Sequence, residues 1–425
     1  MNALAKKLWN RDFSLVVICQ AIVLLCNMTL SYALAYFVLD VSGSAAMFGL
    51  ALGLPYISLL IMAPLGGMMA DRLKKQRVMF WLDVSAIAAI ALYLVISGLT
   101  TVAIPIVIVK LMTLNAIQGA YMPTIQAAVP LLVPADKLAT GNAAVGAVNM
   151  LANLGGLALA GVLYARFGLF PILLTCAALY IGTAIMDLFI RVPYQKQSST
   201  GSIGQMVKAD MSQAGRFMVK EKPIFIKFVA IMFMLLVTVA PVAMIGIPVL
   251  ITGYLGMGMD MVGISQSIMM SGGLIGGIVA GALGSRLTIT KLPLFLLFSI
   301  IAVLPIGLVS LVAMPAMLAF IVMTAASALV TLFQIMLTIT LITYVQTETP
   351  TELRGKVLSL LTMLPFLATA LGQSLFGVLF ERFYAMPWVL VFGAAVLALL
   401  VAVYARGLTS SEKTVGVAGA ADVIS

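Results

Sequence analysis

Lys110 is a lone cation inside an otherwise uncharged apolar run. A charge held at that depth in a bilayer is costly and normally faces a cavity or a partner. Gln118 and Tyr121 fall within about 80° of it at 100° per residue, so a helix gathers the three into one polar stripe. Such a stripe suits an anionic group or a carboxylate; the competing use of Lys110 is snorkelling toward the nearer interface. On another run Asn149 and Asn153 share a face with Asn142, Gly146, Gly156 and Ala160. The amides suit hydrogen bonding in a cavity, and the small residues suit close helix packing. Asn27, Ser31, Gln266, Gln334 and Gln373 are further polar points in apolar surroundings. The chain has no His. It offers no nucleophile–base constellation, no phosphate-binding loop and no metal-ligand spacing, so neither an enzyme nor a cofactor is expected.

These residues stand out because nearly everything around them is apolar. The 425 residues are 63% apolar and 9% charged, with mean hydropathy +1.18, which excludes a water-soluble globular protein. A bilayer span needs about 20 mostly apolar residues. Twelve stretches qualify: 14–39, 45–70, 78–97, 101–128, 140–164, 168–190, 224–253, 261–284, 293–312, 315–345, 356–380 and 386–405. The net charge of +10 does not point to nucleic acid, because the 24 Lys and Arg are sorted by loop. Counting from an N-terminus on the inner side, only Arg166 and Arg382 fall outside, and Lys110 lies within a span. That is the positive-inside pattern, and it predicts a multi-pass plasma-membrane protein with both termini cytoplasmic. Membrane lipid accounts for the excess charge. Cys19, Cys26 and Cys176 lie in apolar spans and read as small hydrophobes. No cleavable leader is expected, since Lys6, Lys7 and Arg11 lead straight into a full-length span.

Residues 191–223 form the longest stretch without a span. Tyr194 to Ile203 reads as linker. Ile203, Met206, Val207, Met211, Ala214, Phe217 and Met218 then recur at helical spacing, predicting an amphipathic helix lying in the cytoplasmic interface. The six spans before and after it are related in sequence. Gly161-Val-Leu-Tyr-Ala-Arg166-Phe167 reappears as Gly377-Val-Leu-Phe-Glu-Arg382-Phe383, 216 residues on. Gly156 matches Gly372, and Pro134-Ala-Asp136 matches Pro350-Thr-Glu352, at the same offset of 216. Gly67 and Arg72-Leu73 match Gly281 and Arg286-Leu287 at 214. These matches predict a duplicated all-α membrane protein of two pseudo-symmetric six-helix bundles. The expected parts are an N-terminal bundle over 1–190, a linker over 191–223, a C-terminal bundle over 224–406 and a flexible cytoplasmic tail over 407–425.

The loop between the second and third spans, Gly67-Met-Met-Ala-Asp71-Arg72-Leu-Lys74-Lys75-Gln-Arg77, resembles the corresponding cytoplasmic loop of the major facilitator superfamily of secondary transporters. The resemblance covers residues 10–406. Asp40 to Gly49, Ala63 to Arg77, Pro123 to Pro130 and Gly372 to Glu381 look most like its bacterial drug and macrolide exporter-type branch. It implies that Asp71 accepts hydrogen bonds from a helix start in the other half, where negative charge is favoured, and so latches the cytoplasmic side. Arg72, Lys75 and Asp83 would complete that charge network, and Gly67 would let helix two approach its neighbour closely. Gly281 and Arg286 are the second copy, in which Ser285 replaces the acid. The chain departs from the family in carrying Lys74 where a small residue is usual, and Gly156-Leu157 where antiporters carry Gly-Pro.

Proton coupling wants a group that changes protonation in the pathway. Asp40, at an outer end, is the coupling candidate, while Asp83 and Asp187 fall toward cytoplasmic ends. The expected function is secondary active transport of a small amphipathic organic solute by alternating access, as proton-coupled, drug-type efflux from a monomer. Asn27, Ser31, Lys110, Gln118, Tyr121, Asn149, Asn153, Gln266, Gln334 and Gln373 would line the substrate cavity. Met and aromatic residues such as Met232 and Tyr36 would supply an adaptable apolar wall. One rival is a facilitator or symporter for an anionic metabolite or lipid-like solute; another is a non-transporting sensor on the same fold.

Overall fold

The computed structural model describes residues 8–99, 103–193, 211–312 and 314–421, without the side chains at 71, 135, 139, 285, 351, 352, 355, 359, 362 and 409–421. The described residues are helical throughout, with no strand among them, and twelve helices are long and apolar enough to cross a membrane. They are α1 (Arg11–Ser42), α2 (Ala45–Arg72), α3 (Lys75–Leu99), α4 (Ile104–Leu132), α5 (Leu138–Phe167) and α6 (Leu169–Phe189). After the linker come α7 (Pro223–Tyr254), α8 (Met259–Leu283), α9 (Leu292–Val309), α10 (Ala316–Glu348), α11 (Thr351–Arg382) and α12 (Pro387–Ala421). Each contains its expected apolar stretch to within a few residues, because in hydrocarbon the backbone can satisfy its polar groups only within a helix. The helix of α12 continues past 406 to Ala421, in a run free of proline.

Local chemistry sets the ends. Asn10 caps α1 by accepting from Phe13 N at 2.9 Å, and Gly43 closes it at φ 60. Ser44 caps α2 by accepting from Met47 N at 3.1 Å. Within α7, Pro241 precedes a π-helical turn over Val242–Gly246, and Pro248 precedes another over Leu250–Tyr254. Proline lacks an N–H and crowds the carbonyl four residues back, and a wider turn relieves both.

The chain folds as two compact units divided at Gly201, except that Met257–Ser267, the start of α8, groups with the first. In the first unit α1 packs on α4, α5 and α6, α2 on α4, and α3 on α4 and α6. In the second, α7 packs on α11 and α12, and α9 on α10 and α12. The pairings of α7 with α11 and α12, and of α9 with α10 and α12, repeat those of α1 with α5 and α6, and of α3 with α4 and α6. Gly156 and Gly372 hold matching places in them. A Cβ on Gly156 of α5 would collide with Met28 of α1, and one on Gly372 of α11 would lie 2.6 Å from the Leu236 carbonyl oxygen of α7.

Most of the expected interfacial helix, 203–210, lies outside the described residues. Its remainder, helical from Met211 through a π-turn at Phe217–Glu221, turns its apolar face inward. Ala214, Phe217 and Met218 are buried with Phe225, Val345 and Val357, so this face covers the second unit's own core. Edge-on aromatic contacts of Phe217 with Phe225, and of Phe225 with Tyr344, fix it there.

Candidate functional site

In the first unit, polar side chains gather where α1 meets α4 and α5. Asn27 is buried and donates from Nδ2 to the Leu114 carbonyl oxygen at 3.1 Å, tying α1 to α4. Gln20, two turns earlier on the chain, donates from Nε2 to Asn149 Oδ1 at 3.3 Å, tying α1 to α5. Asn153 is exposed and donates to the Asn149 carbonyl oxygen at 2.7 Å. The Ser31 and Tyr121 hydroxyls and the side-chain oxygens of Gln20, Asn27 and Gln118 are buried with no hydrogen-bond partner among the described residues. Unpaired buried polar atoms are costly, so this cluster is suited to groups that arrive with a solute or with water.

Lys110 does not snorkel. It is 5% exposed, and its Nζ lies 4.4 Å from the Tyr93 ring centroid, with no hydrogen-bond partner among the described residues. Tyr93 is on α3, so a cation–π contact draws the ammonium into the α3–α4 seam.

The acids are arranged differently from the simple expectation. Asp40 is exposed, and Tyr164 donates to its Oδ2 at 2.8 Å, joining the ends of α1 and α5. Asp83 is wholly buried, and neither of its carboxylate oxygens has a hydrogen-bond partner among the described residues, so it makes no ion pair with Arg72 or Lys75. Instead α3 packs on α6, which brings Asp83 near Asp187, also buried and also unpartnered.

Of the loop residues, the Asp71 side chain lies outside the described residues. Arg72 and Lys74 are exposed and Lys75 is half-buried. The neighbouring Gln76 accepts from Val192 N at 3.2 Å, which ties this loop to the exit of α6. A Cβ on Gly67 would meet nothing within 4 Å; the close approach belongs to Gly66, which abuts Ala120 of α4. Gly281 is equally open, and Arg286 is exposed.

Gln266 is buried in the segment of α8 that groups with the first unit. In the second unit Gln334 Nε2 and Gln373 Oε1 are buried and unpartnered among the described residues. One turn after Gln334, Thr338 opens onto a cavity of about 260 Å³. Phe228, Met232 and Phe233 of α7, Leu341 of α10, and Leu361 and Phe366 of α11 form half of its wall. Thr338 already donates to the Gln334 carbonyl oxygen at 2.8 Å, so the cavity accepts little but apolar surface. An apolar void of about 150 Å³ is enough to hold benzene. Among the described residues no group of three or more His, Cys, Asp or Glu could hold a metal ion.

Sequence reasoning did not single out Gln20 or the aromatic wall around Phe366, and it placed Asp187 toward a cytoplasmic span end without giving it a role. A signal existed for the acid: Tyr180, Thr183 and Asp187 recur at helical spacing on α6, and all three are buried. Gln20 likewise stands two turns before Asn27 on the same face.

The fold is shared with solved transporters. A variant of the nucleoside transporter NupG superposes with a TM-score of 0.74 at 14% identity, over 94% of this chain and 99% of that one. A bacterial homologue of the iron transporter ferroportin, in an inward-facing state, gives 0.71 at 16% identity, over 93% and 98%. A D-xylose–proton symporter gives 0.70 at 14% identity, over 93% and 97%. No curated protein sequence matches the chain. The family model described as Major Facilitator Superfamily matches residues 16–364. With that match and twelve helices in two like-paired sets of six, the chain is a multi-pass membrane transporter, not an enzyme, and belongs to the Major Facilitator Superfamily.

Proposed function

We propose that this transporter exports a small lipophilic or amphipathic organic molecule by alternating access, driven by proton return across the plasma membrane. The cavity walled by Phe228, Met232, Phe233, Leu341, Leu361 and Phe366 carries the reading. Its surface is aromatic and aliphatic, and its one hydroxyl, on Thr338, is already committed. Such a wall rewards apolar area and cannot select a dense pattern of hydroxyls or charges. Met and aromatic side chains adapt to varied shapes, which fits drug-type rather than single-metabolite selectivity. The loop charges support cytoplasmic termini, and on that reading export runs from the side of the linker.

Lys110 favours a second reading, uptake or facilitated passage of an anionic solute. Its ammonium is buried and lacks a hydrogen-bond acceptor among the described residues, so a carboxylate or phosphate would supply one.

Proteoliposomes separate the two. With the interior acidic, a lipophilic cationic dye should accumulate inside, and Met232→Trp, which fills the cavity, should reduce accumulation severalfold. Equal dye movement with and without the gradient overturns proton-driven export. Flux of a small aromatic carboxylate that disappears in Lys110→Met, with no dye flux, would install the second reading.

A further inference from the structure

Two acids that the expected coupling scheme leaves out meet inside the first unit. Asp83 projects from the first third of α3 and Asp187 from the last turn of α6; they are 0% and 1% exposed. All four of their carboxylate oxygens lack a hydrogen-bond partner among the described residues. The groups that face them come from α1, α4 and α6. Cys19 of α1 lies beside Asp187, and Thr183 of α6 beside Asp83. The Thr183 hydroxyl is spent on the Tyr180 carbonyl oxygen at 3.0 Å. Tyr121 of α4 feels both acids, and its wholly buried hydroxyl is itself unpartnered. Tyr180 of α6 and Cys26 of α1 feel Asp83. No Lys or Arg of α1, α3, α4 or α6 contributes to either acid; Lys110 is occupied by Tyr93.

Two uncompensated negative charges cannot be held side by side in an apolar interior. A single proton resolves the conflict, because a protonated carboxyl donates and an ionised one accepts. A metal ion would need more ligands than the pair offers. We propose that Asp83 and Asp187 form one proton-binding site, sharing an exchangeable proton that Tyr121 helps to position. The step is a plain acid–base exchange: one proton arrives from water and leaves to water, with no redox change. The pair occupies the role expected of Asp40, whose carboxylate instead is exposed and accepts from Tyr164. This inference deepens the reading of proton-driven export and rests on it for the link to transport.

The test reads the proton before it reads transport. Infrared spectroscopy of the purified full chain during a pH titration should show a protonated-carboxyl band that disappears as the pH is raised. Asp187→Asn should remove or displace that band, and Asp83→Asn should do the same. Asp187→Glu, which keeps the chemistry should Asn disturb folding, should restore a titrating band at a shifted frequency. Tyr121→Phe should move its midpoint without abolishing it. A titrating band unchanged in both Asn variants, or a band that responds to sodium rather than to pH, overturns the assignment. In proteoliposomes, Asp83→Asn should lose gradient-driven accumulation at least tenfold while retaining dye exchange at equal pH. If wild-type protein carries no dye, export has failed, and the infrared titration still decides the proton site. If gradient-driven accumulation survives in both Asn variants, the pair's role in coupling is overturned and export stands.

Discussion

At the scale of single residues, packing rather than chemical type decides which glycines and charges matter. Gly156→Val should destabilise the protein by about 1–3 kcal/mol, because its new methyls meet α1 where even a Cβ collides with Met28. Gly67→Ala has open space around it and should stay within about 0.5 kcal/mol of wild type, as measured by thermal unfolding in detergent. A change in transport rate in that stable variant would support the gating role that the family resemblance implies. Sequence alone marked Gly67 for its loop motif, yet the crowded position is its neighbour, Gly66. The motif reports a pattern, and which helix a given Cα faces depends on the turn of α2 against α4. Lys110 was visible as a buried cation, but its aromatic partner was not, since Tyr93 lies across a turn on another helix. Tyr93→Leu should remove a cation–π contact worth about 1–2 kcal/mol, and should lower the unfolding midpoint more in wild-type background than in Lys110→Met.

At the scale of elements, the helices were legible from hydropathy, and the repeat from its two nearly equal offsets. Gly156 and Gly372 show why the repeat survives: each lets the fifth helix of its half press on the first. What hydropathy could not give is inter-helix pairing. Asp83 and Asp187 each look like an acid near a span end, and only the packing of α3 on α6 makes them one buried pair. The linker is a similar case. An apolar face reads the same whether lipid or protein covers it. Here Phe217 and Met218 cover α7, α10 and α11 residues of the second unit, while exposed polar contacts pin the rim. Lys222 pairs with Glu348 at 2.5 Å, and Lys356 donates to Gln213 at 2.6 Å. Because both partners of the ion pair are more than a third exposed, Lys222→Ala should cost less than about 1 kcal/mol. Phe217→Ala, which empties a buried site, should cost about 3–5 kcal/mol by the same unfolding assay.

At the scale of the molecule, two like-paired sets of six helices, a positive-inside loop pattern and a family match spanning residues 16–364 describe a transporter built by duplication. The halves have since diverged in chemistry. The first carries Gln20, Asn27, Lys110 and the acid pair; the second carries Gln334, Gln373 and the apolar cavity beside Thr338. That division suits a machine in which one half handles the proton and the other gives the solute an apolar seat. The account therefore stands on the coupling of a lipophilic solute to a proton gradient. The direct measurement is dye accumulation by wild-type protein in proteoliposomes, with the internal pH set below, equal to and above the external pH. Accumulation should be greatest with an acidic lumen, fall to simple equilibration at equal pH and reverse to depletion when the gradient is inverted. Movement of the dye at one rate and to one final level under all three conditions would contradict it.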